Sequence, residues 1–121
     1  MEIPGLFTNS KRQLVAEVGQ VLFREGEPGA EMYGVISGEV ELRLGSRVIA
    51  TVGPNEVFGE MALIDNSPRS LDAVAVQPTE LAVIDRHRFL FLVTETPTFA
   101  LQVMAAMADR LRAMTVAAAP G

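Results

Sequence analysis

The chain has 121 residues, of which 49% are hydrophobic and 21% are charged, and its formal net charge is −5. This length and composition predict one globular domain over residues 1–121, and the acidic charge argues against a nucleic-acid-binding surface, which needs clustered Lys and Arg. The absence of cysteine excludes disulfides and thiolate metal sites, and one histidine cannot build a zinc or iron site alone, so we expect no metal and no cofactor.

The first eighteen residues are ambiguous. The stretch NSKRQLVAEV is compatible with one short helix capped by Asn9 or Ser10. From Gln20 onward, short apolar runs alternate with turn residues, and six runs are expected to be strands. They are the start of QVLFREGEPG, residues 32–36, 40–44 and 47–52, and the stretches SLDAVAV and ELAVID. Between residues 40–44 and 47–52, Gly45-Ser46 is a hairpin signal.

Two helices are predicted after the strands. Asp85 can cap a short helix, RHRFLFLVTE, which stops before Pro97. A longer helix then begins at Thr96-Pro97, and its apolar residues recur every four or three positions on one face. These residues are Ala100, Met104, Met107, Leu111 and Met114. Core packing or pairing with a second copy would each explain such a face.

The order of these elements predicts a mainly β fold. Short strands at regular spacing, separated by glycine-containing turns, are typical of an antiparallel β-roll or jelly roll (a double-stranded β-helix) of about eight strands. We expect the roll over about residues 18–85 and the C-terminal helices that close it over about residues 86–116.

The stretch FGEMALIDNSPRS, residues 58–70, carries the chemistry. Gly59 allows close approach to the backbone, and Arg69 offers a planar guanidinium suited to a phosphate. Ser70 adds a hydroxyl donor, whereas Glu60 is an acceptor suited to sugar hydroxyls. This set describes a sugar-phosphate pocket. The alternative is that Glu60 and Arg69 pair with each other across the loop, which would be a minor surface salt bridge.

The same stretch resembles the phosphate-binding cassette of the cyclic nucleotide-binding domain family. The match consists of an apolar residue, Gly-Glu, three apolar or small residues, a gap, and Arg followed by Ser. A second family signature precedes it, LFREGEPGAEMYGVISG, with glycines at positions 26, 29 and 38. The resemblance extends over roughly residues 15–115, where the predicted roll and helices also lie.

The resemblance implies a role for each matching residue. Glu60 would bind the ribose 2′-hydroxyl, and Arg69 and Ser70 would bind the cyclic phosphate. Backbone N–H groups around Gly59, Met61, Ala62 and Leu63 would complete the anion site. The last helix would contact the base near Met114 or Thr115, and of these Thr115 can form a hydrogen bond.

Three residues depart from the family pattern. Leu71 replaces a small residue, and Gly34 interrupts an apolar quartet. Asp72 would face the same side of a strand as Ser70, which would bring a carboxylate toward the nucleotide and weaken phosphate binding.

We therefore expect a non-catalytic sensor of a cyclic nucleotide, with cyclic AMP as the first candidate and cyclic GMP as the second. The alternative is a degenerate roll that has lost nucleotide binding and serves as a protein–protein interaction module. A metal-dependent enzyme on a similar roll would need clustered histidines, and the chain has one histidine.

We expect no membrane contact, a cytoplasmic location, an effector protein of unknown identity, and a homodimer formed through the last helix. No apolar run approaches the roughly 20 residues that span a bilayer.

Overall fold

The computed structural model describes residues 5–118, which contain eight strands and three helices. The strands are β1 (Gln13–Ala16), β2 (Val21–Phe23), β3 (Met32–Ser37), β4 (Val40–Leu44), β5 (Arg47–Val52), β6 (Val57–Phe58), β7 (Asp72–Ala75) and β8 (Thr79–Ile84). The helices are α1 (Glu60–Asp65), α2 (Arg86–Glu95) and α3 (Thr98–Ala118).

The strands form two four-stranded antiparallel sheets. One has the order β1-β8-β3-β6, and the other has the order β2-β7-β4-β5. The predicted fold class, a mainly antiparallel β-roll of eight strands closed by C-terminal helices, is confirmed. The helix α1 interrupts the strand succession between β6 and β7, and the predicted cassette lies there.

Two clusters of buried side chains hold these elements together. One is formed by side chains of both sheets and includes Phe23, Leu42, Phe58 and Leu71. The other joins β3 and β8 to the two C-terminal helices. Its buried members include Met32, Ile84, Leu92, Phe99 and Val103. The helices are therefore fixed to the roll by apolar burial, which is the main favourable term in folding.

The N-terminal segment, which the sequence left ambiguous, does not form the short helix with which it is compatible. Residues 13–16 form the strand β1 instead of a helix, and they pair with β8 from Gln13 opposite Ala82 to Ala16 opposite Thr79. Ladder hydrogen bonds with a strand far away in sequence outweigh the modest helix propensity of this stretch. The strand β6 was not predicted, because a run of two residues, Val57 and Phe58, is too short to show a period.

The predicted face of the last helix is divided between the roll and solvent. Met107 and Met114 pack against the two core clusters, whereas Met104 and Leu111 are about half exposed. The five predicted positions cover a narrow arc of the helix, and the buried side is centred on Val103 next to that arc. Of the helices described, none combines the length and the hydropathy that crossing a bilayer requires.

The N-terminus of α2 is capped as predicted. The Asp85 side chain accepts a hydrogen bond from the backbone N–H of Arg88 at 2.8 Å. We expect Asp85→Ala to lower the free energy of unfolding by about 1 kcal/mol, because the N–H loses its partner at the helix end. Urea unfolding measures the change. Asp85→Asn retains a capping oxygen and serves as the control, and equal losses in the two variants would contradict the capping role.

Candidate functional site

The cassette begins where β6 turns into α1. Gly59 precedes the helix with a φ of 81°, in the left-handed region that favours glycine. A Cβ atom at this position would lie 2.9 Å from Nη1 of Arg69. The missing side chain therefore lets the Arg69 guanidinium approach the backbone, and its Nη1 donates to the Gly59 carbonyl at 3.1 Å.

Arg69 is a buried cation, with only 7% of its surface exposed. Its backbone is fixed by two bonds to a preceding turn: its N–H donates to the Glu27 carbonyl at 2.8 Å, and its carbonyl accepts from the Gly26 N–H at 2.7 Å. Its Nε has no hydrogen-bond partner among the described residues. Burial lowers the pKa of Arg69, and the surrounding groups, Tyr33 and Glu31 first, oppose that shift. The guanidinium remains protonated at neutral pH.

Glu60 does not pair with Arg69. The Glu60 side chain is 3% exposed, and its carboxylate accepts two hydrogen bonds from Nη1 of Arg110 on α3, each at 3.0 Å. Nη2 of Arg110 also donates to the Val57 carbonyl. The alternative of a direct Glu60–Arg69 ion pair is therefore wrong. The carboxylate already has a cationic partner, while the described residues offer Arg69 no carboxylate in an ion pair.

A cavity of about 210 Å³ lies between the cassette and α3. Of the residues predicted for the site, six line this cavity: Gly59, Glu60, Met61, Ala62, Arg69 and Ser70. Its wall on α3 is formed by Met107, Arg110, Leu111 and Met114. The cavity is thus lined by a guanidinium, a hydroxyl-bearing residue, a carboxylate and an apolar wall, and it can hold a ligand with both an anionic and an apolar part.

Two predicted residues lie elsewhere. The Leu63 side chain is buried in the core cluster of the helices, and its carbonyl accepts from Nη2 of Arg86 at 2.9 Å. Thr115 is exposed and does not line the cavity of its own chain. Its hydroxyl donates to the Leu111 carbonyl one turn earlier, at 2.8 Å. Met114 is therefore the residue of this pair that α3 directs to the cavity.

The departures from the family pattern each have a structural place. Asp72 does not line the cavity, and its carboxylate accepts from the backbone N–H of Glu25 at 2.7 Å. The Asp72 carboxylate, which the sequence predicted near the ligand, is therefore not part of the cavity wall. Leu71 is buried and lines the cavity as an apolar residue. At Gly34 a Cβ would meet the Phe7 ring at 2.7 Å, so glycine leaves room for that ring.

Arg110 was missed in the sequence. Its signal is its position on α3, three residues after Met107 and four before Met114, inside the face that packs toward the cavity. A charged residue inside such a stripe requires a buried partner. Within residues 5–118, no group of His, Asp and Glu side chains is arranged to hold a metal ion.

Comparison with known proteins identifies similar sequences and structures. The model of the family "Cyclic nucleotide-binding domain" matches residues 13–96. The "Cyclic AMP receptor protein" of Thermus thermophilus is 42% identical over 99 aligned positions, and the match covers 78% of this chain and 46% of that protein. The "cAMP-dependent protein kinase regulatory subunit" of Eremothecium gossypii is 39% identical over 84 residues, which are 69% of this chain and 18% of that protein.

Among solved structures, the "Thermus thermophilus Catabolite Activator Protein" superposes with a TM-score of 0.72 at 36% identity, covering 87% of this chain and 52% of that one. The chain thus spans about half, or less, of the length of these relatives.

The Glu60–Arg110 pair is expected to stabilise the fold. We expect Arg110→Ala to lower the free energy of unfolding by on the order of 3 kcal/mol, because it leaves a buried carboxylate without its cation. Urea unfolding of the ligand-free protein measures the loss. Arg112→Ala is the matched control on the same helix: Arg112 pairs with Asp109 at 2.9 Å, both side chains are more than two-thirds exposed, and its loss should cost less than about 1 kcal/mol. Equal losses would contradict the buried pair's role.

Proposed function

Because the chain belongs to the cyclic nucleotide-binding domain family, we propose that its cavity binds a cyclic nucleotide and that the protein is a non-catalytic sensor. One observation carries the proposal: Arg69 places a buried guanidinium at the cavity with an Nε donor that has no partner in the described structure. A buried donor without a partner is costly, and a phosphate oxygen would satisfy it with a charge-assisted hydrogen bond.

The proposed roles follow the chemistry of the lining residues. Arg69 and the Ser70 hydroxyl bind the cyclic phosphate, with backbone N–H groups of Gly59, Met61 and Ala62 beside it. The backbone N–H of Leu63 belongs to the same proposed set, and its side chain lies in the core. Glu60 accepts a hydrogen bond from the ribose 2′-hydroxyl. Its carboxylate has lone pairs left after it binds Arg110, so the two donors can share it.

Cyclic AMP is our first candidate ligand and cyclic GMP the second. The name of the Thermus thermophilus relative, the "Cyclic AMP receptor protein", supports that order. The base would lie on the apolar wall formed by Met107, Leu111 and Met114. Asp72 was the main argument for a degenerate roll without a ligand, and its carboxylate is bonded outside the cavity. A cytoplasmic location and an effector protein of unknown identity complete the proposal.

The signal would be carried by α3. Arg110 joins this helix to Glu60 and to the Val57 carbonyl, so a ribose that shares the Glu60 carboxylate also acts on the position of the helix. A ligand that interacts differently with two arrangements of α3 shifts their populations by that difference.

A homodimer through α3 is also part of the proposal. Leu101, Met104 and Leu111 are each at least half exposed, and their three- and seven-residue spacing forms a seam of the kind that pairs helices. Thr115 continues the same exposed seam. Pairing would bring Thr115 close to a second copy, and that is where we propose that its hydroxyl contacts a base.

The phosphate role of Arg69 predicts a large effect on binding. Arg69→Ala should weaken cyclic AMP binding by on the order of 100-fold, because the phosphate loses a buried charged partner. Isothermal titration calorimetry and the ligand-induced rise in melting temperature measure the effect with cyclic AMP and cyclic GMP. Arg43→Ala, which removes an arginine paired with Glu41 away from the cavity, should bind as the native chain does. The absence of binding to either nucleotide by the native chain at submillimolar concentration would refute the proposed function.

The proposed seam predicts the oligomeric state. The native chain should sediment as a dimer, and Met104→Asp should sediment as a monomer, because a carboxylate in an apolar seam would be buried without a partner. Val48→Asp places the same charge at another half-exposed apolar residue, on β5, and should remain dimeric. A native chain that stays monomeric over the accessible concentration range would contradict this part of the proposal.

A further inference from the structure

The guanidinium of Arg69 is held in place by uncharged contacts. Its Cζ lies 4.2 Å from the centroid of the Phe23 ring and 5.8 Å from that of Tyr33. At these distances the ring faces attract the cation without offering it an acceptor. An acidic partner would orient the same group, but it would compete with an incoming anion for its N–H donors.

The turn before β3 provides a second uncharged contact. A Cβ atom at Gly29 would lie 2.4, 2.5 and 2.6 Å from Nε, Cζ and Nη2 of Arg69, so the backbone of the turn packs directly on the guanidinium. Two backbone hydrogen bonds attach this turn to Arg69. The Gly26 N–H donates to the Arg69 carbonyl, and the Arg69 N–H donates to the Glu27 carbonyl. Phe23, at the end of β2, precedes this turn in sequence. Ring and turn therefore form one unit with the arginine.

The ring that faces the arginine is itself fixed by other rings. Phe23 stacks on Tyr33 with centroids 6.2 Å apart, and Tyr33 stacks on Phe58 at 5.3 Å. Phe58 is fully buried and precedes Gly59, whose carbonyl accepts from Nη1 of Arg69. The orientation of the guanidinium is thus determined from three sides by elements of both sheets.

We propose that Phe23 and Gly29 are positioning residues, which fix the plane of the Arg69 guanidinium so that it discriminates between the two exocyclic oxygens of a bound cyclic phosphate. This inference rests on the proposed function. A donor that is oriented before the ligand arrives loses less freedom on binding and accepts only one ligand geometry. Gly29 does not line the cavity, so its effect on a ligand has to pass through Arg69.

The two phosphorothioate diastereomers of cyclic AMP test this orientation directly. Each replaces a different exocyclic oxygen by sulfur, which accepts hydrogen bonds poorly, so a fixed guanidinium binds them with different affinities. We expect the native chain to show unequal dissociation constants for the two. In Phe23→Leu and in Gly29→Ala the ratio should fall toward one, and cyclic AMP itself should bind about tenfold more weakly. Phe23→Tyr retains the ring face and should keep most of the native ratio.

The control separates orientation from stability. Phe99→Leu removes a fully buried ring from the other core cluster, so it should lower the melting temperature without changing the diastereomer ratio. Unchanged ratios in Phe23→Leu and Gly29→Ala, or a native ratio of one, would overturn the inference while leaving nucleotide binding intact. If Phe23→Leu does not fold, the diastereomer ratio measured with Gly29→Ala tests the inference. Absence of cyclic AMP binding by the native chain would instead refute the proposed function, and this inference would fail with it.

Discussion

A buried cation without an acidic partner is the constraint around which this site is built. Taking the Arg69 guanidinium out of water is costly, and no ion pair within residues 5–118 compensates it. The groups in direct contact with it include aromatic faces, a glycine backbone and one carbonyl acceptor. These contacts orient the group and leave donor capacity, which an anion in the adjacent cavity would use. This packing requires glycine at positions 29 and 59, because a side chain at Gly29 or at Gly59 would collide with the arginine.

The ion pair of Glu60 with Arg110 engages the carboxylate that the sequence also allowed to pair with Arg69. Both oxygens of the Glu60 carboxylate bind Arg110 of α3. The carboxylate at the cavity is therefore paired with a cation, whereas the Arg69 guanidinium forms no ion pair within the described residues. The same pair ties the last helix to the cassette, next to the carbonyl of Val57. The position of α3 is consequently linked to the residue that we propose for the ribose. The Glu60–Arg110 ion pair makes this link, and through it a ligand bound at Glu60 would affect the position of α3.

The sequence predicted the roll and most of its elements, since a strand such as β4 carries a clear alternation of apolar and charged residues and is bounded by glycine turns. It also identified Glu60, Arg69 and Ser70, which the fold brings to one cavity. The sequence-based prediction failed where contacts between residues far apart in the sequence determine the structure. The strand β1 exists because β8 offers it a ladder, and Arg110 meets Glu60 across 50 positions of sequence. Likewise, no local pattern indicated that Asp72 would bond to the Glu25 backbone instead of facing the cavity.

The most direct test of the account is the side-chain NMR signal of Arg69 in the ¹⁵N-labelled protein, assigned by its loss in Arg69→Lys. Its Nε–H group is buried and has no described partner, so a new hydrogen bond must change its chemical shift and slow its exchange with water. We predict that saturating cyclic AMP shifts the Nε–H signal strongly downfield and protects it, and that adenosine, which lacks the phosphate, leaves it in place. A signal unchanged by cyclic AMP under conditions where calorimetry shows binding would contradict the central role given to this arginine.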